Sequence, residues 1–185
     1  MAQDNVLVPL LSGFEEIEAV TIIDVLRRAD IPVIVAGERP GPVEGSHGIA
    51  IVATTALDDV DPDQLAMVAL PGGLPGAQHL ADSERVRALL RAVRERGGYT
   101  AAICAAPMAL AAAGVHSGHK VTSYPGFDRY LEGAQYCEDA VVVDDRVITS
   151  RGPGTALAFA LALVAALKGD DVARALGERM LVARG

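Results

Sequence analysis

The chain has 185 residues, 51% of them hydrophobic but only 4% aromatic, and a formal net charge of −8. That length closes the core of one domain, spanning 1–185 and built mainly from Ala, Val, Leu and Ile. The acidic balance disfavours nucleic acid and anionic membranes as partners, and the longest apolar run, Ala156–Leu167, is shorter than the about 20 residues a bilayer-spanning helix needs.

Met1–Asn5 carries no basic region, and the apolar run after it is interrupted at Ser12 and Gly13, so no targeting segment is expected. The two cysteines, Cys104 and Cys137, show neither metal-ligand nor disulfide spacing, which fits a reduced, cytoplasmic setting. Val6–Leu11 reads as the first buried strand and Ser12-Gly13-Phe14 as a turn. Glu15–Arg28 has helical periodicity through Ile17, Val20, Ile23, Val25 and Leu26; acidic residues open it and Arg27-Arg28 close it, matching the macrodipole at both ends. Asp30 turns the chain into a second strand, Ile31–Ala36. A strand–helix–strand unit of this kind predicts parallel pairing and a right-handed crossover.

Gly37–Gly48 is rich in Gly and Pro and reads as loop with a short edge hairpin, followed by a strand candidate at Ile49–Thr54 and a connector at Leu57–Leu65. Met67–Leu70 is another short buried strand, and Pro71-Gly72-Gly73-Leu74-Pro75-Gly76 follows at once. Ser83 caps an amphipathic helix that runs to Arg96, with Val86, Leu89, Leu90 and Val93 on its inner stripe. Gly97-Gly98 ends it and leads to a buried strand at Tyr99–Ile103, after which Pro107 opens a helix through Ala113. Gly114–Lys120 reads as loop, Val121–Ser123 as a short strand, Tyr124-Pro125-Gly126 as a turn and Phe127–Leu131 as a single helical turn. Ala140–Val143 and Val147–Ser150 flank a polar turn and predict a hairpin. Arg151-Gly152-Pro153-Gly154-Thr155 leads into Ala156–Leu167, a helix apolar nearly all round and so expected to be covered on several sides. Asp170–Gly177 reads as a terminal helix and Met180–Gly185 as a tail.

Two stretches carry chemistry. Cys104 falls where the 99–103 strand meets the following helix. A sharp strand-to-helix turn pushes a side chain out at the end of the sheet, close to free backbone N–H groups and the positive end of a helix dipole. Those groups favour a thiolate, the reactive form of cysteine. Free cysteine is also among the most buried residue types, and as a lone residue Cys104 fits either role. The Gly72-Gly73 loop lets backbone approach a ligand from the same crevice, and it also fits a plain tight turn. It is not a phosphate-binding fingerprint. Glu15, Glu16 and Glu18 form an acidic first helical turn.

Four blocks occur in one order from end to end of the chain: Gly13–Glu18 (GFEEIE), Leu70–Gln78 (LPGGLPGAQ), Ala101–Pro107 (AAICAAP) and Thr149–Thr155 (TSRGPGT). Through them the chain resembles the PfpI/ThiJ superfamily, in the branch of the Parkinson-disease-associated deglycase (the DJ-one protein) and bacterial YajL-like proteins. The resemblance implies a single PfpI/ThiJ-type domain with a flavodoxin-like α/β fold: a three-layer sandwich, mostly parallel sheet with helices on both faces, usually a homodimer. It implies Cys104 as an elbow nucleophile, Glu18 as the carboxyl group that hydrogen-bonds it, and the N–H groups of Gly73 and Ala105 as holders of an oxyanion, with Gly72 in the same substrate-binding loop. A charged Glu18 beside a thiolate would raise both pKa values, whereas a protonated Glu18 donates a hydrogen bond to the thiolate. Glu15 and Glu16 stay as surface or dimer-contact positions.

The sequence departs from the family pattern where some members carry a histidine; here Tyr124 stands, as a substrate hydrogen-bonder or a pocket wall. Ala105 follows the cysteine where protease-type members have histidine, so proteolysis is not expected. Arg151 is an anion-binding or surface candidate, and Cys137 reads as structural or incidental. The resemblance implies a cofactor-independent glyoxalase III-like hydro-lyase or deglycase acting on methylglyoxal, glyoxal or early glycation adducts, with no metal. The competing expectation is a cysteine-based oxidative-stress sensor or redox-regulated chaperone.

Overall fold

The computed structural model describes residues 5–182. In chain order the strands and α-helices are β1 (Asn5–Pro9), α1 (Glu16–Arg28), β2 (Val33–Gly37), β3 (Gly41–Glu44), β4 (Ala50–Ala53), β5 (Thr55–Ala56), β6 (Leu65–Leu70), α2 (Gly76–Asp82), α3 (Glu84–Glu95), β7 (Tyr99–Ile103), α4 (Pro107–Ala113), β8 (Lys120–Val121), β9 (Gln135–Tyr136), β10 (Val141–Asp144), β11 (Val147–Ser150), α5 (Ala156–Lys168) and α6 (Asp170–Arg179). Residues 183–185 of the expected tail lie outside the described residues.

Among the described residues, seven strands form the central sheet in the order β10-β11-β7-β6-β1-β2-β5. All neighbours pair parallel except β10, which returns antiparallel on β11 as the hairpin reading predicts. The strands are apolar on both faces because both are covered. Leu7, Val68, Leu70 and Ala102 point to the layer of α2, α3 and α4, where they meet Leu80, Leu89, Leu90 and Leu110. Val6, Val8, Met67, Ala101 and Ile103 point to the other layer, where Ile22 and Leu26 of α1 meet Phe159 and Leu163 of α5. The result is a three-layer α/β sandwich.

The connectivity positions the site. From β1 the chain adds β2 and then β5 on one side. It then comes back to lay β6 against the other side of β1 and continues outward through β7 to β11. That reversal leaves a crevice beyond the carboxyl ends of β1 and β6, where open α/β sheets bind ligands. The loops 10–15 and 71–75 line it, and the end of β7 adjoins it.

Several boundaries differ from expectation. The 37–54 stretch forms an antiparallel two-stranded sheet of its own, β3–β4, while Thr55–Ala56 closes the edge of the main sheet. Helix α2, seven residues long and opening on Gly76, is not among the expected elements, because it is too short to show periodicity. Strands β8 and β9 are two residues each and pair parallel. The apolar helix α5 is flanked by α1 and α6 and backed by the sheet, yet Leu157 faces outward, 43% exposed. None of the described helices is long and apolar enough to cross a membrane.

Candidate active site

Helix α1 begins one residue later than its acidic opening suggests, because the Glu15 side chain is itself the cap, accepting from the Ile17 N–H at 3.1 Å. One turn on, Glu18 points inward and is fully buried. The Gly72 N–H donates to Glu18 Oε2 at 2.7 Å, and the Gly72 carbonyl accepts from the Glu15 N–H at 2.9 Å. The start of α1 and the 71–75 loop are thereby zipped together. A Cβ on Gly72 would lie 2.7 Å from Cys104 Cβ and 2.8 Å from Glu18 Oε2. Gly73 has φ +88°, and a Cβ there would lie 2.3 Å from the Glu15 nitrogen. Both glycines are sterically required.

Cys104 sits at φ +64°, a left-handed conformation that costs a non-glycine residue about 1–2 kcal/mol. The surroundings hold it there: its N–H donates to the Ser150 carbonyl at 3.0 Å, and its own carbonyl accepts from the Tyr124 N–H at 2.8 Å. The side chain is aimed into the crevice, half-buried. The N–H groups of Gly73 and Ala105 lie close enough to its sulfur to pull the thiol's pKa down, and the Glu18 carboxyl close enough to push it up. Cys104, Glu18, Gly73 and Ala105 thus lie together at the end of β7.

The protonation of this group differs from the sequence expectation. Burial pushes the Cys104 thiol up to about 12, with the Glu18 charge adding to it; the Gly73 and Ala105 N–H groups oppose this but do not overcome it. Burial also pushes Glu18 up to about 7, against the Gly72 N–H and the Cys104 thiol. Glu18 Oε1 is buried with no hydrogen-bond donor geometrically in place, which suits a protonated carboxyl. A thiolate favoured by the helix start therefore gives way to a thiol beside a carboxyl poised near neutrality. The short helix α4 cannot outweigh desolvation and an adjacent carboxylate.

Other predicted positions fare differently. Gly72 is not an oxyanion donor, because its N–H is committed to Glu18. Tyr124 flanks the elbow through its main chain; its ring lies against Gly152 and edge-on to Phe127, 47% exposed. Arg151 donates to the Glu138 carbonyl at 3.0 Å, an exposed loop contact. Glu15 and Glu16 are not surface residues but 5% exposed each. Glu16 accepts from the His47 N–H at 2.6 Å and the Ile49 N–H at 3.3 Å. Burial works against its charge, but these bonds and the His47 ring hold its carboxyl down to about 2. No residue pattern near His47 signals this contact, which spans 31 positions. Ser150 is also missed, since it acts through its main chain. A separate cavity of about 650 Å³ opens between Leu10, Ser12, Arg39, Glu44, His79 and Asp82, and neither Cys104 nor Glu18 lines it.

A family model described as the DJ-1/PfpI family matches residues 4–166. The chain belongs to the DJ-1/PfpI family. It is 44% identical over 182 residues to Protein dj-1beta of Drosophila melanogaster, covering 97% of each chain. The crystal structure of that DJ-1beta superposes with a TM-score of 0.94 at 43% identity, over 98% of this chain and 99% of that one. A Caenorhabditis elegans relative named glutathione-independent glyoxalase DJR-1.2 is 39% identical over 171 residues, covering 92% of this chain and 91% of its own. The structure of oxidized Toxoplasma gondii DJ-1 gives a TM-score of 0.93 at 36% identity, over 97% and 99%. The flavodoxin-like sandwich expected from the resemblance is the fold of this chain.

Proposed function

We propose that this protein is a cofactor-independent glyoxalase that turns methylglyoxal or glyoxal into the corresponding 2-hydroxy acid. The observation that carries the reading is the convergence of the Glu18 carboxyl and the Gly73 and Ala105 N–H groups on Cys104 Sγ. The glyoxalase name of the Caenorhabditis elegans relative supports it.

In the proposed reaction, ionised Glu18 takes the Cys104 thiol proton as sulfur adds to the aldehyde carbon. The aldehyde oxygen gains the electron pair, and the Gly73 and Ala105 N–H groups stabilise that charge. Protonation gives a hemithioacetal. Glu18 then removes the proton from the former aldehyde carbon and delivers one to the neighbouring carbon, through an enediol. The first carbon is oxidised to a thioester and the second reduced to a carbinol, so no external oxidant or reductant enters. Water cleaves the thioester, releasing lactate or glycolate and restoring the thiol. Early glycation adducts enter the same scheme as deglycase substrates once the carbinolamine expels its amine and regenerates the free α-oxoaldehyde, which Cys104 then captures. Tyr124 forms a wall of the site. Proton and carbon NMR of the product, with no added thiol, tests the reading: lactate supports it, and a static hemithioacetal opposes it.

A second reading, Cys104 as an oxidative-stress sensor or the switch of a redox-regulated chaperone, draws on the oxidized Toxoplasma gondii relative. The raised Cys104 thiol weighs against it, because the thiol oxidises more slowly than a thiolate. We further propose a cytoplasmic homodimer, with the exposed Ile17, Val20, Ile49 and Val52 of α1 and the β4 region forming its face.

A further inference from the structure

The start of α1 and the turn of the β3–β4 hairpin bring together three side chains that the reaction above does not use. Glu15 and Glu16 come from the helix start, and His47 from the hairpin turn. One ligand-type atom from each lies within 4.8 Å of the others. His47 Nδ1 is 3.0 Å from Glu16 Oε2 and 3.4 Å from Glu15 Oε2. Both carboxylates are buried, whereas the His47 ring is open to solvent. The turn is held in place by main-chain bonds: the Ser46 N–H donates to the Phe14 carbonyl at 2.8 Å, and the Gly45 N–H to the Ile49 carbonyl at 3.0 Å.

One atom in this group lacks a hydrogen-bond partner. Glu15 Oε2 is buried and no donor satisfies it, while its sister oxygen is used by the Ile17 N–H. His47 Nδ1 carries at most one proton, and both Glu16 Oε2 and Ser46 Oγ, at 3.1 Å, lie nearer to it than Glu15 Oε2 does. Two buried carboxylates therefore face a single shared donor. Glu15 Oε2 is left with only the His47 ring at 3.4 Å, shared with two nearer partners, and a buried anionic oxygen so weakly met is costly unless a further cation reaches it.

The geometry points to a divalent transition-metal site made by Glu15, Glu16 and His47, with zinc as the ion that fits. Zinc bonds nitrogen and oxygen at about 2.0–2.2 Å, so neighbouring ligand atoms of a tetrahedral site stand roughly 3.3–3.6 Å apart. The separations of 3.0 and 3.4 Å around His47 Nδ1 need only small adjustments to match, and the Glu15 and Glu16 oxygens, within 4.8 Å of each other, close any remainder on binding the ion. Two carboxylates balance the charge of the ion. An imidazole ligand selects against calcium and magnesium, which take oxygen donors. Three protein ligands leave a fourth position for water on the open side of His47. The ion would lock the hairpin to the start of α1, which also carries Glu18. This assignment stands independently of the chemistry at Cys104.

The test is calorimetric titration of zinc chloride into the full-length protein, stripped beforehand with a chelator. The expected result is saturable binding of one ion per chain. His47→Ala and Glu15→Gln each weaken it by about tenfold or more, while Cys104→Ser and Cys137→Ser leave it unchanged. Cobalt substitution should give a tetrahedral spectrum without a sulfur-to-metal charge-transfer band. Because the His47 ring is exposed on the chain alone and its removal leaves no core cavity, His47→Ala carries the test even if Glu15→Gln does not fold. Sedimentation of each variant separates loss of metal from loss of assembly. Absence of saturable binding, undiminished binding by His47→Ala, or loss of binding with Cys104→Ser would overturn the assignment.

Discussion

Glu18 Oε2 accepts the Gly72 N–H at 2.7 Å, a buried bond between residues 54 positions apart. It fixes the carboxyl beside Cys104 and ties the 71–75 loop to the start of α1. The next residue, Gly73, then presents its N–H to the Cys104 sulfur. In the proposed reaction, one bond thus sets both the base and half of the oxyanion site.

Gly72→Ala should damage catalysis more than folding. The added Cβ meets Cys104 Cβ at 2.7 Å and Glu18 Oε2 at 2.8 Å, so the base and nucleophile must separate. Misplacement on the order of 1 Å costs about a hundredfold in rate. Steady-state kinetics should show that loss in kcat/KM, with circular dichroism retaining the native spectrum.

Glu18 sets opposite pH trends for activity and stability. Its folded value of about 7 lies above the ordinary 4.5, so the folded state binds this proton more tightly than the unfolded chain does. The resulting stabilisation is fully present below about 4.5 and is lost as pH rises through about 7, a change of about 3 kcal/mol. Activity should rise over the same upper range as Glu18 ionises to accept the thiol proton. In Glu18→Gln, denaturation curves between pH 5 and 8, set by about the same ionisation range, should lose this component of the pH dependence.

Arg151→Ala should leave kcat/KM within about twofold, because the guanidinium donates to the Glu138 carbonyl in an exposed loop and exposed polar contacts are weak. A loss of tenfold or more would place the guanidinium on the substrate.

Ile49→Glu should convert the proposed dimer to monomer in sedimentation velocity. The side chain is 60% exposed on the chain alone, so the charge costs little there and is buried only in an assembly. An unchanged sedimentation coefficient would move the interface elsewhere.

The sandwich is legible because buried parallel strands leave unbroken apolar runs, such as Met67–Leu70 and Tyr99–Ile103, and because α3 carries a strong stripe and a Ser83 cap; the α1 stripe is legible only in part, since Ile17 and Val20 face outward while Ile22, Ile23, Val25 and Leu26 are buried. The elbow at Cys104 is legible from the Pro107 helix start that follows its strand. What stays hidden depends on tertiary contact. The burial of Glu15 and Glu16 comes from a hairpin about thirty residues away. Desolvation raises both Glu18 and Cys104, which no local pattern encodes. Gly72 belongs to the right loop but serves the carboxyl rather than the substrate oxyanion, a distinction of only one peptide unit.

The central claim is that Cys104 and Glu18 act together on an α-oxoaldehyde. The most direct measurement is lactate formation from methylglyoxal by purified protein without thiols or cofactors, set beside Cys104→Ser and Glu18→Gln. The account predicts stoichiometric lactate from the native chain and none above background from either variant. Methylglyoxal loss without lactate, or lactate from the Cys104→Ser protein, would contradict it.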